Sequence, residues 1–175
     1  VSRNWRFGPA SEACFEPLLA LRIEVMRDHL ERVGRFTPER SRRVFRSHFD
    51  EPGLRLILVE DELAGCVGFR VAPDHVMLDS FYLATRFQNG GLGSEIFRAL
   101  LAESDALGKP MRLEVLKQSP ADRFYLRHGF MPVSESGVDV MFERPLPGPR
   151  AARPAAREER AWRPAVPAKI NPAAA

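Results

Sequence analysis

The chain has 175 residues, 45% hydrophobic and 28% charged, which points to one globular domain able to bury a core without disulfide staples. Its formal charge of +3 divides unevenly: the segment from Pro145 onward carries +4 and residues 1–144 carry −1, so bulk electrostatics give no case for nucleic-acid binding by the core. No apolar run approaches membrane-spanning length, the first five residues lack the apolar stretch of a signal peptide, and neither Cys14 nor Cys66 has a Cys or His at metal-ligand spacing; a cytoplasmic chain with two buried free thiols, no membrane association and no metal is expected.

Around residues 3–7, Trp5 and Phe7 alternate with Asn4 and Arg6, which predicts a first strand. Pro9 and Ser11 open a helix in which Phe15, Leu18, Leu19, Ile23, Met26 and Leu30 recur at steps of three and four, and Gly34 ends it. Thr37-Pro38-Glu39 combines a capping hydroxyl, a proline at the first helical position and an acid in the first turn, predicting a second helix to about Phe49. After Pro52-Gly53 come three strand-like runs, 54–60, 63–72 and 75–83, joined by short turns and therefore expected to form an antiparallel meander. A glycine-rich loop leads into a helix over 91–107, with Leu92, Ile96, Leu100, Ser104 and Leu107 along one stripe. Residues 111–116 form a short apolar strand, and a strand–helix–strand order makes it a parallel partner of 75–83. Residues 120–128 read as a short helix stopped by Gly129, and 130–135 with 138–143 as a hairpin about Ser136-Gly137. From Pro145, seven prolines and ten alanines in 31 residues leave too little apolar surface to offset ordering entropy, so a disordered or extended tail is predicted after a domain of residues 1–144.

The loop Gln88-Asn89-Gly90-Gly91-Leu92-Gly93 carries the central chemical signal. Its glycines let backbone approach a ligand closely, and the N–H groups of Gly91, Leu92, Gly93 and Ser94 open a helix without partners inside it. Such a terminus binds a diphosphate. A Walker loop would need a lysine after its last glycine, where the chain has Leu92-Gly93-Ser94. A dinucleotide fingerprint would place a small residue at Ile96 and come early in a parallel sheet, whereas this loop follows three antiparallel strands.

Residues 88–93 are similar to the Gln/Arg-x-x-Gly-x-Gly/Ala motif of the GNAT superfamily of N-acetyltransferases, and the segment Ala121–Phe130 resembles that family's Ala-x-x-Leu/Phe-Tyr-x-x-x-Gly-Phe block. The resemblance spans roughly residues 3–144. It implies an α/β (α+β) fold: a mixed sheet of about seven strands, flanked by about four helices and splayed between strands four and five. It implies acetyl-CoA as co-substrate, its pantetheine arm lying in the splay against backbone of Phe81, Tyr82 and Leu83 and its diphosphate on Gln88, Asn89, Gly90, Gly91, Leu92, Gly93 and Ser94. Where many relatives have an asparagine before the alanine of the second block, this chain reads Lys117-Gln118-Ser119-Pro120, so Gln118 or Ser119 is the expected substitute contact.

Direct attack of an amine on the thioester needs a proton donor for the thiolate and an acceptor for the amine's proton. Tyr125 is the expected donor; with ordinary pKa values of roughly 10 for a phenol and 8.5 for a thiol, the transfer is uphill by only about 1.5 units. Asp79 is the expected base, an acid among apolar neighbours with the parity of Phe81 and Leu83; His75 shares that parity. The acceptor is expected near the first two helices and the last hairpin. Residues 22–36 hold acids that could take an ammonium group (Glu24, Asp28, Glu31) and arginines that could take a carboxylate (Arg22, Arg27, Arg32, Arg35), most of them read as a solvated helix face, so an amino acid, a polyamine, an antibiotic amine and a protein N-terminus stay open. A non-catalytic acyl-CoA-binding module and a transferase of another acyl group also stay open, as does a homodimer.

Overall fold

A computed structural model describes residues 4–148. The elements run β1 (Trp5–Pro9), α1 (Phe15–Arg32), α2 (Pro38–Phe49), β2 (Leu54–Val59), β3 (Glu62–Val71), β4 (Val76–Leu83), α3 (Leu92–Ala106), β5 (Met111–Leu116), α4 (Ala121–Arg127), β6 (Met131–Ser136) and β7 (Asp139–Arg144). The seven strands form one sheet in the order β1-β2-β3-β4-β5-β7-β6, antiparallel except where β4 meets β5. The mixed α/β architecture is the one expected. No described helix is long and apolar enough to cross a membrane. The tail expectation falls mostly outside the described residues; residues 145–148 form neither helix nor strand.

Local signals account for most boundaries. The Thr37 hydroxyl accepts from the Arg40 N–H at 3.1 Å and Pro38 follows it, so α2 starts where the capping chemistry puts it. The first strand sits two residues later than expected, and a single 3₁₀ turn (Glu12–Cys14) precedes α1, which leaves Cys14 half-buried rather than buried. Cys66 is a fully buried free thiol, as expected. Leu107 closes α3 as its cap and is 45% exposed, so it lies off the buried stripe made by Leu92, Ile96, Phe97, Leu100, Leu101 and Ser104.

Aromatic packing covers both faces of the sheet. On one, Phe15 of α1 stacks on Phe45 of α2 at 5.6 Å between ring centres, and Phe45 reaches Tyr82 of β4. On the other, Phe97 of α3 is fully buried among Phe81, Phe124, Tyr125 and Phe130. Truncating such a ring to alanine costs about 3–5 kcal/mol.

Strand β4 departs from simple alternation. Cys66 faces Tyr82 and Gly68 faces Asp79, so a step of two residues on β3 spans three on β4. The extra residue is accommodated at Ser80, whose φ of 49° makes a bulge. The bulge switches which face each side chain takes. Phe81 packs on Phe97 of α3, whereas Asp79 and Ser80 both approach His48 of α2. The expected shared parity of Asp79 with Phe81 is thereby overturned, because a period of two holds only through an unbroken ladder.

Candidate active site

Strands β4 and β5 pair only at Val76–Met111 and Met77–Arg112, then separate. From Leu78 onward the β5-facing edge of β4 lacks a strand partner, and the gap opens two cavities that share Phe81. The larger, about 540 Å³, lies under α1 and α2 and reaches Tyr125 and Asp139. The smaller, about 390 Å³, lies beside the glycine loop and is walled by Leu83, Gln88, Asn89, Gly91, Gly93 and Ser94.

Gly91 caps α3 in the left-handed region at φ 84°, and Asn89 is left-handed at 60°. No side chain caps this helix. The first helical bond runs from the Glu95 N–H to the Gly91 carbonyl at 3.1 Å, so the amides of Leu92, Gly93 and Ser94 have no partner inside the helix. A Cβ added at Gly90 or Gly91 would meet no protein atom within 4 Å. The Gln88 side chain turns inward and donates to the Leu83 carbonyl at 2.7 Å, bracing the loop onto the end of β4.

Tyr125 packs against Phe97, Phe124 and Phe130 and lines the larger cavity. Burial pushes its phenol well above the ordinary tyrosine range, and the neighbouring Tyr82 adds to the effect. Tyr82 is raised mainly by burial as well, against the opposing charge of Arg22.

Asp79 does not sit in the apolar setting expected of it. Arg70 donates to it through Nε at 2.5 Å and Nη2 at 3.3 Å, and the missing Cβ at Gly68 leaves room for the carboxylate against β3. His48 completes the group, its Nδ1 3.7 Å from Asp79 Oδ1 and 3.2 Å from Ser80 Oγ. His75 is remote from this cluster, paired with Asp74 at 2.8 Å at the start of β4. In the second block, the Ser119 hydroxyl accepts from the Ala121 N–H at 3.2 Å and lines the cavity. Gln118 takes a left-handed φ of 61°, and its carbonyl accepts from Arg32 at 3.3 Å.

Arg22, Ser41 and His48 are among the cavity residues not singled out from the sequence as site residues. Helical spacing carries a signal for each. Ser41, Phe45 and His48 fall at i, i+4 and i+7 on α2, a stripe that places polar groups on the buried face of a helix whose other side is rich in arginine. Arg22 occupies a buried position of α1 beside Leu18, Leu19 and Leu21.

The sequence profile of the Acetyltransferase (GNAT) family matches residues 20–130. No curated protein matches the chain in sequence. Among solved structures it is similar to PaiA N-acetyltransferase from Thermoplasma acidophilum in complex with coenzyme A, at 16% identity and a TM-score of 0.66, covering 81% of this chain and 99% of that one. It is also similar to an acetyltransferase from Thermus thermophilus, at 20% identity and a TM-score of 0.64, covering 81% and 97%. N-acetylglutamate synthase from Neisseria gonorrhoeae, complexed with coenzyme A and N-acetyl-glutamate, aligns at 13% identity and a TM-score of 0.62 over 83% of this chain and 36% of that one. At these identities the likeness speaks for the fold, while the profile covers more than half of the chain. The chain belongs to the GNAT acetyltransferase family and is an acyltransferase.

Proposed function

We propose that the protein transfers an acetyl group from acetyl-CoA to a primary amine by direct attack, with no covalent enzyme intermediate. The observation that carries this reading is the junction of two cavities at Phe81, one walled by the glycine loop and one by α1, α2 and the facing parts of β4 and β5, with Asp139 at the start of β7. The amides of Leu92, Gly93 and Ser94, with the open space above Gly90 and Gly91, suit a diphosphate. The edge of β4 over Phe81 to Leu83, which no strand covers, suits an extended pantetheine arm, whose backbone-like amides can take the place of a strand. A β4 N–H near Leu83 would stabilise charge building on the thioester oxygen. The amine then enters from the larger cavity, and holding the two reactants together supplies several kcal/mol of the rate enhancement.

Tyr125 serves as the proton donor to the departing thiolate. Its raised pKa keeps the phenol protonated throughout the working range and makes complete transfer less favourable than the ordinary values suggest, so much of its effect is as a hydrogen-bond donor. The amine's proton passes to the His48–Asp79 pair, whose ring is held by the Ser80 hydroxyl at 3.2 Å and whose carboxylate lies 3.7 Å away. Titration with CoA, followed by thiol release over a panel of amines, tests the proposal: no CoA uptake ends it, and uptake without thiol release leaves a binding module.

A further inference from the structure

The larger cavity holds one buried charge that has no ion-pair partner among the described residues. Arg22 is only 6% exposed and lines the cavity wall, yet among the described residues it has no ion pair. Its Nε has no hydrogen-bond partner, and its Nη1 reaches only the Ser41 carbonyl, at a long 3.5 Å. The Ser41 hydroxyl, 2% exposed and in the same wall, is likewise unpartnered.

Elsewhere the fold compensates its sequestered arginines. Arg70 holds Asp79 at 2.5 Å, Arg144 holds Asp105 at 2.6 Å, and Arg55 holds Glu103 at 2.7 Å. Arg35, in the same cavity as Arg22, is neutralised by Asp139 at 2.9 Å. The Tyr82 phenol, which hydrogen-bonds the guanidinium, and the Ser41 carbonyl supply dipoles without charge. A guanidinium stays charged in any protein setting, and a buried charge left without a counterion is strongly unfavourable. Arg40, also in the lining and without an ion pair among the described residues, adds a second positive group at the exposed rim. Glu114, an acid of the lining with no ion pair among the described residues, is exposed on β5.

We infer that the acceptor is an amine bearing a carboxylate, and that this carboxylate docks on Arg22 and the Ser41 hydroxyl, with Arg40 at the entrance. The inference rests on the transferase reading for the place of the acceptor. It separates amino carboxylates from polyamines and simple amines, which would bring more positive charge to a wall that already lacks a counterion. The diphosphate of CoA does not meet this need, since Arg22 is not part of the smaller cavity beside the glycine loop.

The experiment uses the full chain saturated with CoA. The twenty standard amino acids and their C-terminal carboxamides are titrated by calorimetry or thermal shift, with thiol release from acetyl-CoA read in parallel. At least one free acid should bind at least about 100-fold more tightly than its amide, because a site built for a hydrogen-bonded charge rejects the analogue lacking it. Arg22→Met should abolish that preference, leave CoA affinity intact and leave the melting temperature of the free protein equal or higher, whereas an arginine with a merely structural role would lower it on removal. Arg22→Lys, which retains the charge without the fork, should fold and bind the acid on the order of tenfold more weakly. Amides that bind as well as acids, a panel in which no acid binds, or an Arg22→Met variant with undiminished acid preference would each overturn the inference. Carboxylate binding without thiol release would instead overturn the transferase reading and leave the inference about Arg22 standing.

Discussion

Asp79 of β4 and Arg70 of β3 lie across the sheet from one another, joined by two hydrogen bonds at 2.5 and 3.3 Å. Arg70 also donates to the carbonyls of Pro52 and His48, each at 2.6 Å, so the pair ties the bulged strand to the end of α2. The same carboxylate therefore braces the strand and, through Arg70, the helix terminus, and lies 3.7 Å from the His48 imidazole, which Ser80 Oγ approaches at 3.2 Å.

Asp79→Asn should consequently lower both stability and turnover. Arg70 and Asp79 side chains are 14% and 17% exposed, and removing one charge from a sequestered pair should destabilise by about 2–4 kcal/mol. Urea unfolding should show the midpoint fall with the slope unchanged. His48→Gln leaves the Asp79–Arg70 pair in place and should cost little stability. If the pair relays the amine's proton, that variant still loses on the order of 100-fold in kcat. A His48→Gln enzyme with normal kcat would restrict Asp79 to a structural role.

Tyr125→Phe should reduce kcat by on the order of 100-fold with the KM for acetyl-CoA nearly unchanged. The phenol ring keeps its contacts with Phe97 and Phe130, so the melting temperature should move little. Because burial raises Tyr125, the wild-type rate should show no decline assignable to this phenol below about pH 10. Unchanged turnover in the variant would remove Tyr125 from the chemistry.

Legibility in the sequence followed the range of the interaction. The start of α2 could be read because Thr37 and Pro38 act on residues three positions away or fewer. The glycine loop was equally plain, since unpaired helix amides depend only on local backbone. The facing of Asp79 was not, because the bulge at Ser80 depends on pairing with β3 and leaves no break in the run Val76–Leu83. Arg22 stands seven residues after Phe15, four after Leu18 and four before Met26, on the inward stripe of α1, but its charge reads as one more member of the solvated set over residues 22–36. What completes the cavity is contributed by contacts between distant segments, such as Arg35 with Asp139 and Tyr82 with Phe45.

Alkaline pH should weaken the fold in two stages. Cys66, Tyr82 and Tyr125 all have pKa values raised by burial, so the folded chain holds their protons where the unfolded chain releases them. Stability from these groups is fully present below the unfolded values and is lost as pH rises past them, from about pH 9 for the thiol and about pH 10 for the phenols. Cys66→Ala should delay the onset to the tyrosine range. Melting temperatures taken from pH 7 to the alkaline limit, with tyrosinate absorbance followed alongside, check this. A flat profile, or an onset that Cys66→Ala does not shift, would contradict the assignment.

The two adjacent loop glycines allow the steric and conformational demands of the diphosphate site to be separated. Gly91 needs its left-handed φ of 84°, so Gly91→Ala should cost about 1–2 kcal/mol in strain as well as any effect on CoA. Gly90 is not left-handed, and a Cβ there would meet nothing within the protein. Gly90→Ala should therefore leave the melting temperature unchanged while weakening CoA, because the added methyl occupies space that a closely approaching diphosphate requires. Gly90→Val should weaken it further, again at little cost to the fold. Calorimetry of CoA binding against unfolding of the free protein distinguishes the outcomes. Full CoA affinity in Gly90→Val would mean that no ligand backbone approach occurs at this loop, and the diphosphate would have to be sought elsewhere.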